Sequence, residues 1–267
     1  MDGTSLLFEP FTQQMMEKSK QFNHPLHIYP IPYPNQPLMN YSELELYSRR
    51  KIKEILDNYH MEEETNVVIL GESFSGPIAT SITSMMNNER EGGEFPISGL
   101  ILCCTFVANP RPVLSFPFRF IFSSPNSNNQ SFKTNLMDSL IRILFQQEWL
   151  MKIISKLMFH SEKQRNLFLR AMKITPPEVI GLRLRNVLYV NRIEELRKCN
   201  NIPLLILRAR NDWIVPNSAQ QLLEEVFEGN CNCPPPIVGS HFLLQNNPEE
   251  TSEVIWKFVQ NLPKVKS

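Results

Sequence analysis

The sequence predicts an α/β fold: a mainly parallel sheet with helices on both faces and a helical insertion. Three observations carry this. Short, almost wholly apolar runs (67–70, 100–106 with Thr105 its one polar residue, and 204–207) alternate with amphipathic stretches. Such runs suit strands covered on both faces, and their alternation with helices suits parallel crossovers. Residues 107–202 then separate the second run from the third, far more chain than one crossover helix needs. Finally, 42% of the 267 residues are apolar, enough for a sizeable core.

Taken in order, residues 6–22 read as a helix. Residues 25–33 read as extended, spaced by prolines. Residues 41–59 form an amphipathic helix with Leu44, Tyr47, Ile52 and Ile55 near helical spacing. The strand at 67–70 is followed by a helix at 75–87 and the strand at 100–106. A polar loop, 123–131, precedes apolar helices at 136–145, 149–159 and 166–172, which read as the insertion. After the strand at 204–207 comes a helix at 219–227, capped by Asn217 or Ser218. The last helix carries Asn247 at the N-cap, Pro248 at the first position and Glu250 to complete a capping box. The division expected is a core at 1–110 and 201–267 with a cap insertion at 111–200, and no internal repeat.

Composition narrows the partners. Lys and Arg number 27, as do Asp and Glu, so no basic field exists to attract a nucleic acid or an anionic membrane. Arg49–Lys51 and Glu62–Glu64 read as solvated helix ends. The five cysteines are an odd number in a chain too long to need disulfide staples. Cys231 and Cys233 lack a second pair at zinc-like spacing, so no metal is expected. No basic start followed by an apolar run opens the chain. The most apolar stretch, 140–159, carries Arg142, Glu148, Lys152 and Lys156, which argue against a transmembrane span. A cytoplasmic protein with reduced thiols is the expectation.

The strongest local signal is Gly71-Glu72-Ser73-Phe74-Ser75-Gly76, directly after the apolar run and before a helix. Strand, sharp turn and helix are what a nucleophile elbow requires. The turn holds the serine in a strained conformation and brings strand and helix close, so the flanking positions must be small. Gly71 meets this; Ser75 meets it imperfectly, and Gly76 gives further room. The backbone N–H of Phe74 would face a developing oxyanion. Ser75 is a weaker nucleophile candidate, flanked two positions away by Ser73 and Pro77.

A serine hydroxyl needs a base, and the base needs an acid to orient it. In a strand–elbow–helix architecture the order is Ser, acid, His. Only His160 and His241 follow Ser73. His160 ends an insertion helix and reads as a surface or cap residue. His241 lies in a late loop, Val238-Gly239-Ser240-His241-Phe242, before the capped last helix. Asp212 follows the strand at 204–207 in a turn, and Asp138 lies in the insertion as the weaker candidate acid. Ser73, Asp212 and His241 in this order are more specific together than any one alone.

With these three segments the chain resembles the α/β-hydrolase family. The elbow, the turn Asn211-Asp212-Trp213-Ile214-Val215-Pro216 and the loop Gly239-Ser240-His241-Phe242 look like that family's. The opening Asp2-Gly3-Thr4-Ser5-Leu6-Leu7-Phe8 resembles an Asp-Gly-Thr-Gly loop of some members. These include esterase-like hydrolases and plant plastid acyltransferases similar to phytyl ester synthases. The resemblance implies an oxyanion hole from Phe74 and the opening loop, near Asp2. It also implies a strand leading into that loop, which would flank the strand at 67–70; with the loop starting at Met1, the expectation is a sheet that lacks this strand.

The function expected is a serine hydrolase of carboxylic esters or thioesters, with no cofactor and a small-molecule or lipid-like ester as partner. An acyltransferase with the same triad and a truncated, non-catalytic protein of this fold are the alternatives. The apolar insertion residues Leu144, Phe145, Leu150, Ile153, Ile154, Met158 and Phe159 suit a lid over an acyl pocket or simple packing on the sheet.

Overall fold

A computed structural model describes residues 3–58, 65–88, 97–112 and 147–263. In chain order its elements are α1 (Glu9–Gln21), α2 (Tyr41–Asn58), β1 (Val67–Glu72), α3 (Gly76–Asn88) and β2 (Ile97–Cys103). Helices α4 (Glu148–Met158), α5 (Glu162–Ile174), α6 (Pro177–Tyr189) and α7 (Ile193–Arg197) follow. Then come β3 (Leu204–Leu207), α8 (Asn217–Val226), β4 (Cys231–Asn232), α9 (Leu243–Asn246) and α10 (Pro248–Gln260). The strands form one sheet in the order β1-β2-β3-β4, every pair parallel.

The apolar runs explain the layering. Because side chains alternate along a strand, Val68, Leu70, Ile101, Cys103, Leu205 and Leu207 reach one core, with α1 and α10. Their neighbours Val67, Ile69, Leu100, Leu102, Leu204 and Ile206 reach the other face, under α2, α3 and α8. β2 and β3 are buried at every position, which is why they show no alternation in sequence. β1 is different. Among the described residues it is bonded to β2 alone, and Val67 to Leu70 are half-buried.

Several expectations change in detail. The helix expected at 6–22 divides into a 3-10 turn, Leu6–Phe8, and α1, with Pro10 in the first turn of α1, where its missing N–H is harmless. Residues 25–33 are described without strand hydrogen bonding, since Pro25, Pro30 and Pro32 lack donors. Their side chains still divide between the faces, Leu26 and Ile28 to one core and Ile31 and Tyr33 to the other. β2 stops at Cys103 rather than 106, because Cys104 turns the chain with φ 44.

Two caps are corrected. Asn247 makes no side-chain cap on α10, because its amide donates to the Val238 carbonyl at 3.1 Å and is drawn into the preceding loop. Asn217 is already inside α8, which starts after Pro216 with no side-chain cap. The expected helix at 136–145 and the polar loop at 123–131 lie outside the described residues. Sequence periodicity missed α6 and α7; α6 is buried along several sides and shows no single apolar stripe.

Candidate active site

At the end of β1 the chain turns sharply. Ser73 has φ 54, in the left-handed region that disfavours residues with a side chain. The neighbouring glycines make the turn feasible. A Cβ on Gly71 would stand 2.7 Å from the Ala79 Cβ and 2.8 Å from the Ser75 carbonyl. A Cβ on Gly76 would stand 1.9 Å from the Thr105 hydroxyl. The closest approach is therefore at Gly76, which explains why a serine is accommodated at 75. Ser75 lies beside the half-buried Tyr33 phenol. Ser73, half-buried, points its hydroxyl elsewhere.

That hydroxyl lies 2.7 Å from His241 Nε2. His241 Nδ1 lies 2.8 Å from Asp212 Oδ2. The Asp212 side chain is 0% exposed and that of His241 2%. A carboxylate facing Nδ1 fixes the proton there and leaves Nε2 as an acceptor for the serine hydroxyl. Asp212 is itself fixed: Oδ1 accepts from the N–H groups of Ile214 and Val215, each at 2.9 Å. Gln220 Nε2 adds a longer contact to Oδ2 at 3.5 Å. Arg111 holds the far side of this turn, donating to the carbonyls of Ile214 (3.1 Å) and Trp213.

The sheet brings the three segments together. Ala209 and Ile237 form a parallel bridge beyond β3, and Asn211 N–H donates to the Gly239 carbonyl at 3.0 Å. The acid turn and the histidine loop thus run side by side at the carboxyl ends of the strands, where ligands bind in open α/β sheets.

Of the other candidates, Phe74 places its N–H in the first turn of the helix after Ser73, where backbone donors lack intrahelical acceptors. Asp2 and Asp138 lie outside the described residues. Gly3, the first described residue of the opening loop, has φ 70, and its carbonyl accepts from the Tyr33 N–H at 2.8 Å. Since the Tyr33 ring meets the Phe74 ring edge-on at 6.2 Å, the opening loop is tied to the elbow. His160 is exposed, and its N–H donates to Asn246 rather than approaching Ser73.

Sequence reasoning did not single out several supporting residues. Tyr41 donates to the Phe74 carbonyl at 3.2 Å and stacks on the Phe74 ring at 4.7 Å. Thr105 donates to the Ser73 carbonyl at 2.5 Å. Both are distant in sequence and carry no motif. Beside His241, Phe242 packs edge-on at 4.9 Å; Phe159 stacks on Phe242 at 4.9 Å and meets Phe168 at 5.3 Å. This aromatic line links α5 and the end of α4 to the base. Beneath the site, contact with Cys104 and burial push the Cys103 thiol up, and burial pushes Cys104 up despite its contact with Cys103, so both are held neutral. Among the described residues no three His, Cys, Asp or Glu side chains are grouped to hold a metal, and no helix is long and apolar enough to cross a membrane.

The chain has the α/β-hydrolase fold. Solved structures of similar fold include MenH from S. aureus (15% identity, 93% of this chain and 88% of that one, TM-score 0.64). An esterase from Exiguobacterium antarcticum is similar at 17% identity, over 97% and 88% of the two chains, with TM-score 0.63. A bromoperoxidase from Bacillus anthracis is similar at 17% identity, over 85% and 77%, with TM-score 0.61. No protein-family model matches the chain, and no curated protein does.

Proposed function

We propose that the protein is a serine hydrolase of carboxylic esters or thioesters, working through an acyl-serine intermediate. The observation that carries this is the bonded line Ser73–His241–Asp212, 2.7 Å and 2.8 Å long, with its acid and base buried. Ser73 attacks the carbonyl carbon while His241 Nε2 takes its proton. Asp212 keeps the imidazole in the required tautomer and balances its charge once it is protonated. The Phe74 N–H, with a donor from the opening loop near Asp2, receives the oxyanion. The imidazolium returns the proton to the leaving alcohol or thiol. Water, deprotonated by His241, then attacks the acyl-serine and frees the acid.

Residues 111–200 would act as a cap over the acyl side, and the aromatic line Phe168–Phe159–Phe242 suits a chain-like or lipidic acyl group. Esterases are among the proteins of this fold named above, and that supports the substrate class by analogy. Acyl transfer to an alcohol is the second reading. It is supported by the resemblance of the Asp-Gly-Thr opening to that of phytyl ester synthase-like acyltransferases.

Fluorophosphonate labelling with mass spectrometric mapping tests the reading. Modification at Ser73 that disappears in His241→Ala supports it. A folded protein that takes no label is a non-catalytic member of the fold. Product analysis with and without added alcohol separates hydrolysis from transfer.

A further inference from the structure

We infer that Thr105 is the positioning residue for the oxyanion donor: through the Ser73 carbonyl it sets the plane of the Ser73–Phe74 peptide, and so the aim of the Phe74 N–H. The inference rests on the acyl-serine reading of the site. The N–H that would meet the oxyanion and the carbonyl that Thr105 grips belong to one peptide unit. Among the described residues the only cis peptide bond is Gln36–Pro37, so this unit is trans. Its N–H and C=O point in opposite directions within one rigid plane. Any tilt of the carbonyl tilts the donor equally.

The Ser73 oxygen has two lone pairs, and both are engaged. The Gly76 N–H takes one in the short turn after Ser73. Thr105 Oγ1 takes the other at 2.5 Å, while its contact with the Phe106 carbonyl is long, 3.5 Å. The turn's own bond has the poorer geometry of a 3-10 helix. Ser73 also sits at φ 54, where relaxation would rotate this same peptide. The threonine is what opposes that rotation. Donation into the carbonyl also polarises the N–H on the opposite side of the unit.

Thr105 is itself firmly placed. It is 1% exposed and follows Cys104, whose φ of 44 turns the chain out of β2 toward the elbow. Its Oγ1 and Cγ2 fill the space that a Cβ on Gly76 would occupy, at 1.9 and 2.6 Å. A β-branched side chain so enclosed is restricted at χ1, and this one holds its hydroxyl on the Ser73 carbonyl.

The test compares Thr105→Val, Thr105→Ala and Thr105→Ser with the wild type, each checked for a cooperative melt. Readouts are turnover of p-nitrophenyl esters, the rate of fluorophosphonate labelling and inhibition by a trifluoromethyl ketone that forms an oxyanion at Ser73. Loss of a whole oxyanion donor costs about 10²–10³-fold in kcat, so misaiming one is expected to cost about tenfold. That loss is expected in kcat and in ketone affinity, with KM and the pH profile unchanged. Val and Ala should be equally slow, and Ser should return to within about twofold of the wild type. Ala bears on the assignment even if Val does not fit beside Gly76.

A wild-type rate in Val or Ala, a Ser variant no faster than Ala, or Ala much slower than a folded Val would each overturn the role of Thr105, the last by pointing to packing. A wild type that never labels at Ser73 would instead overturn the reading of the site.

Discussion

Glu72, the residue before the nucleophile, and Gln245, four residues after the base, are joined side chain to side chain at 2.8 Å, and both are buried. Glu72 also receives the Leu244 N–H at 3.4 Å. The short helix α9 is therefore fastened to the elbow by the residue that adjoins Ser73. From the other side, Gln164 of α5 donates to the Gln245 carbonyl. His241 sits just upstream of this anchored helix, so its distance to Ser73 depends on a contact neither residue makes itself.

Gln245→Ala is expected to lower stability by about 1–3 kcal/mol, because a buried carboxylate loses a donor. It should also slow Ser73 labelling. Gln245→Glu places two carboxylates together, and the repulsion is relieved when one takes a proton. Its deficit relative to wild type should therefore shrink as pH falls from 7 to 5 in urea unfolding. A deficit that stays constant across that range would show that the two groups are not in contact in solution.

Gly76→Ala tests the elbow's close packing with an unusual sign. Gly76 has φ −59 at the start of α3, where alanine would ordinarily gain up to about 1 kcal/mol. Here the added Cβ would collide with Thr105, and overpacking costs about 1–3 kcal/mol. A net loss of stability is expected in thermal melts; a gain would mean that Thr105 can move aside freely.

How much of this was legible in the sequence depends on the range of the interaction. The apolar runs inside β2 and β3 were readable because burial on both faces leaves no polar alternation, half-buried β1 because Val67 to Leu70 are all apolar, and Gly71 and Gly76 because close contact excludes a side chain. Ser73, Asp212 and His241 were found by chain order and by their places after strands. Thr105, Tyr41, Arg111 and Gln245 left no trace, because each acts through hydrogen bonds to residues far along the chain. Asn247 misled for a related reason. Its side chain fits a cap in sequence, but the loop holding His241 uses it instead.

Tyr33 predicts a specific alkaline weakness. Burial pushes its phenol up to about 12 from the ordinary 10, despite the nearby Ser75 hydroxyl and Arg183. Between those values the unfolded chain releases a proton that the folded one keeps. Stability tied to this group is full below pH 10 and falls as pH rises toward 12, by up to about 1.4 kcal/mol per unit. Tyr33→Phe should change stability little near pH 8, yet decline less steeply above pH 10. Parallel stability curves for the two proteins would argue that Tyr33 is solvated.

The thiols should be inert. Burial raises the pKa of Cys104, Cys199, Cys231 and Cys233, and for Cys103 contact with Cys104 raises it first, with burial adding to that. The nucleophile is the thiolate, so little is present at pH 8. Ellman's reagent should modify the native protein slowly and all five cysteines rapidly in denaturant. Iodoacetamide should leave Ser73 labelling intact. Fast modification of Cys103 or Cys104 with loss of labelling would mean that the floor of the site opens.

Asp212→Asn separates orientation from folding. The amide oxygen can still accept from the Ile214 and Val215 N–H groups, which Oδ1 now does at 2.9 Å. The amide NH2 is then turned toward His241 Nδ1, which must become an acceptor. The imidazole proton moves to Nε2, the atom facing the Ser73 hydroxyl, and the base has nowhere to put the serine's proton. Labelling at pH 7 should fall by about 10³–10⁴-fold with little change in melting temperature. Asp212→Ala should lose comparable activity and also stability, because it strands two buried N–H donors at a cost of about 1–3 kcal/mol each. An Asn variant that keeps more than about a tenth of the wild-type rate would require a different acid, and with it a different reading of the 2.8 Å contact between Asp212 and His241.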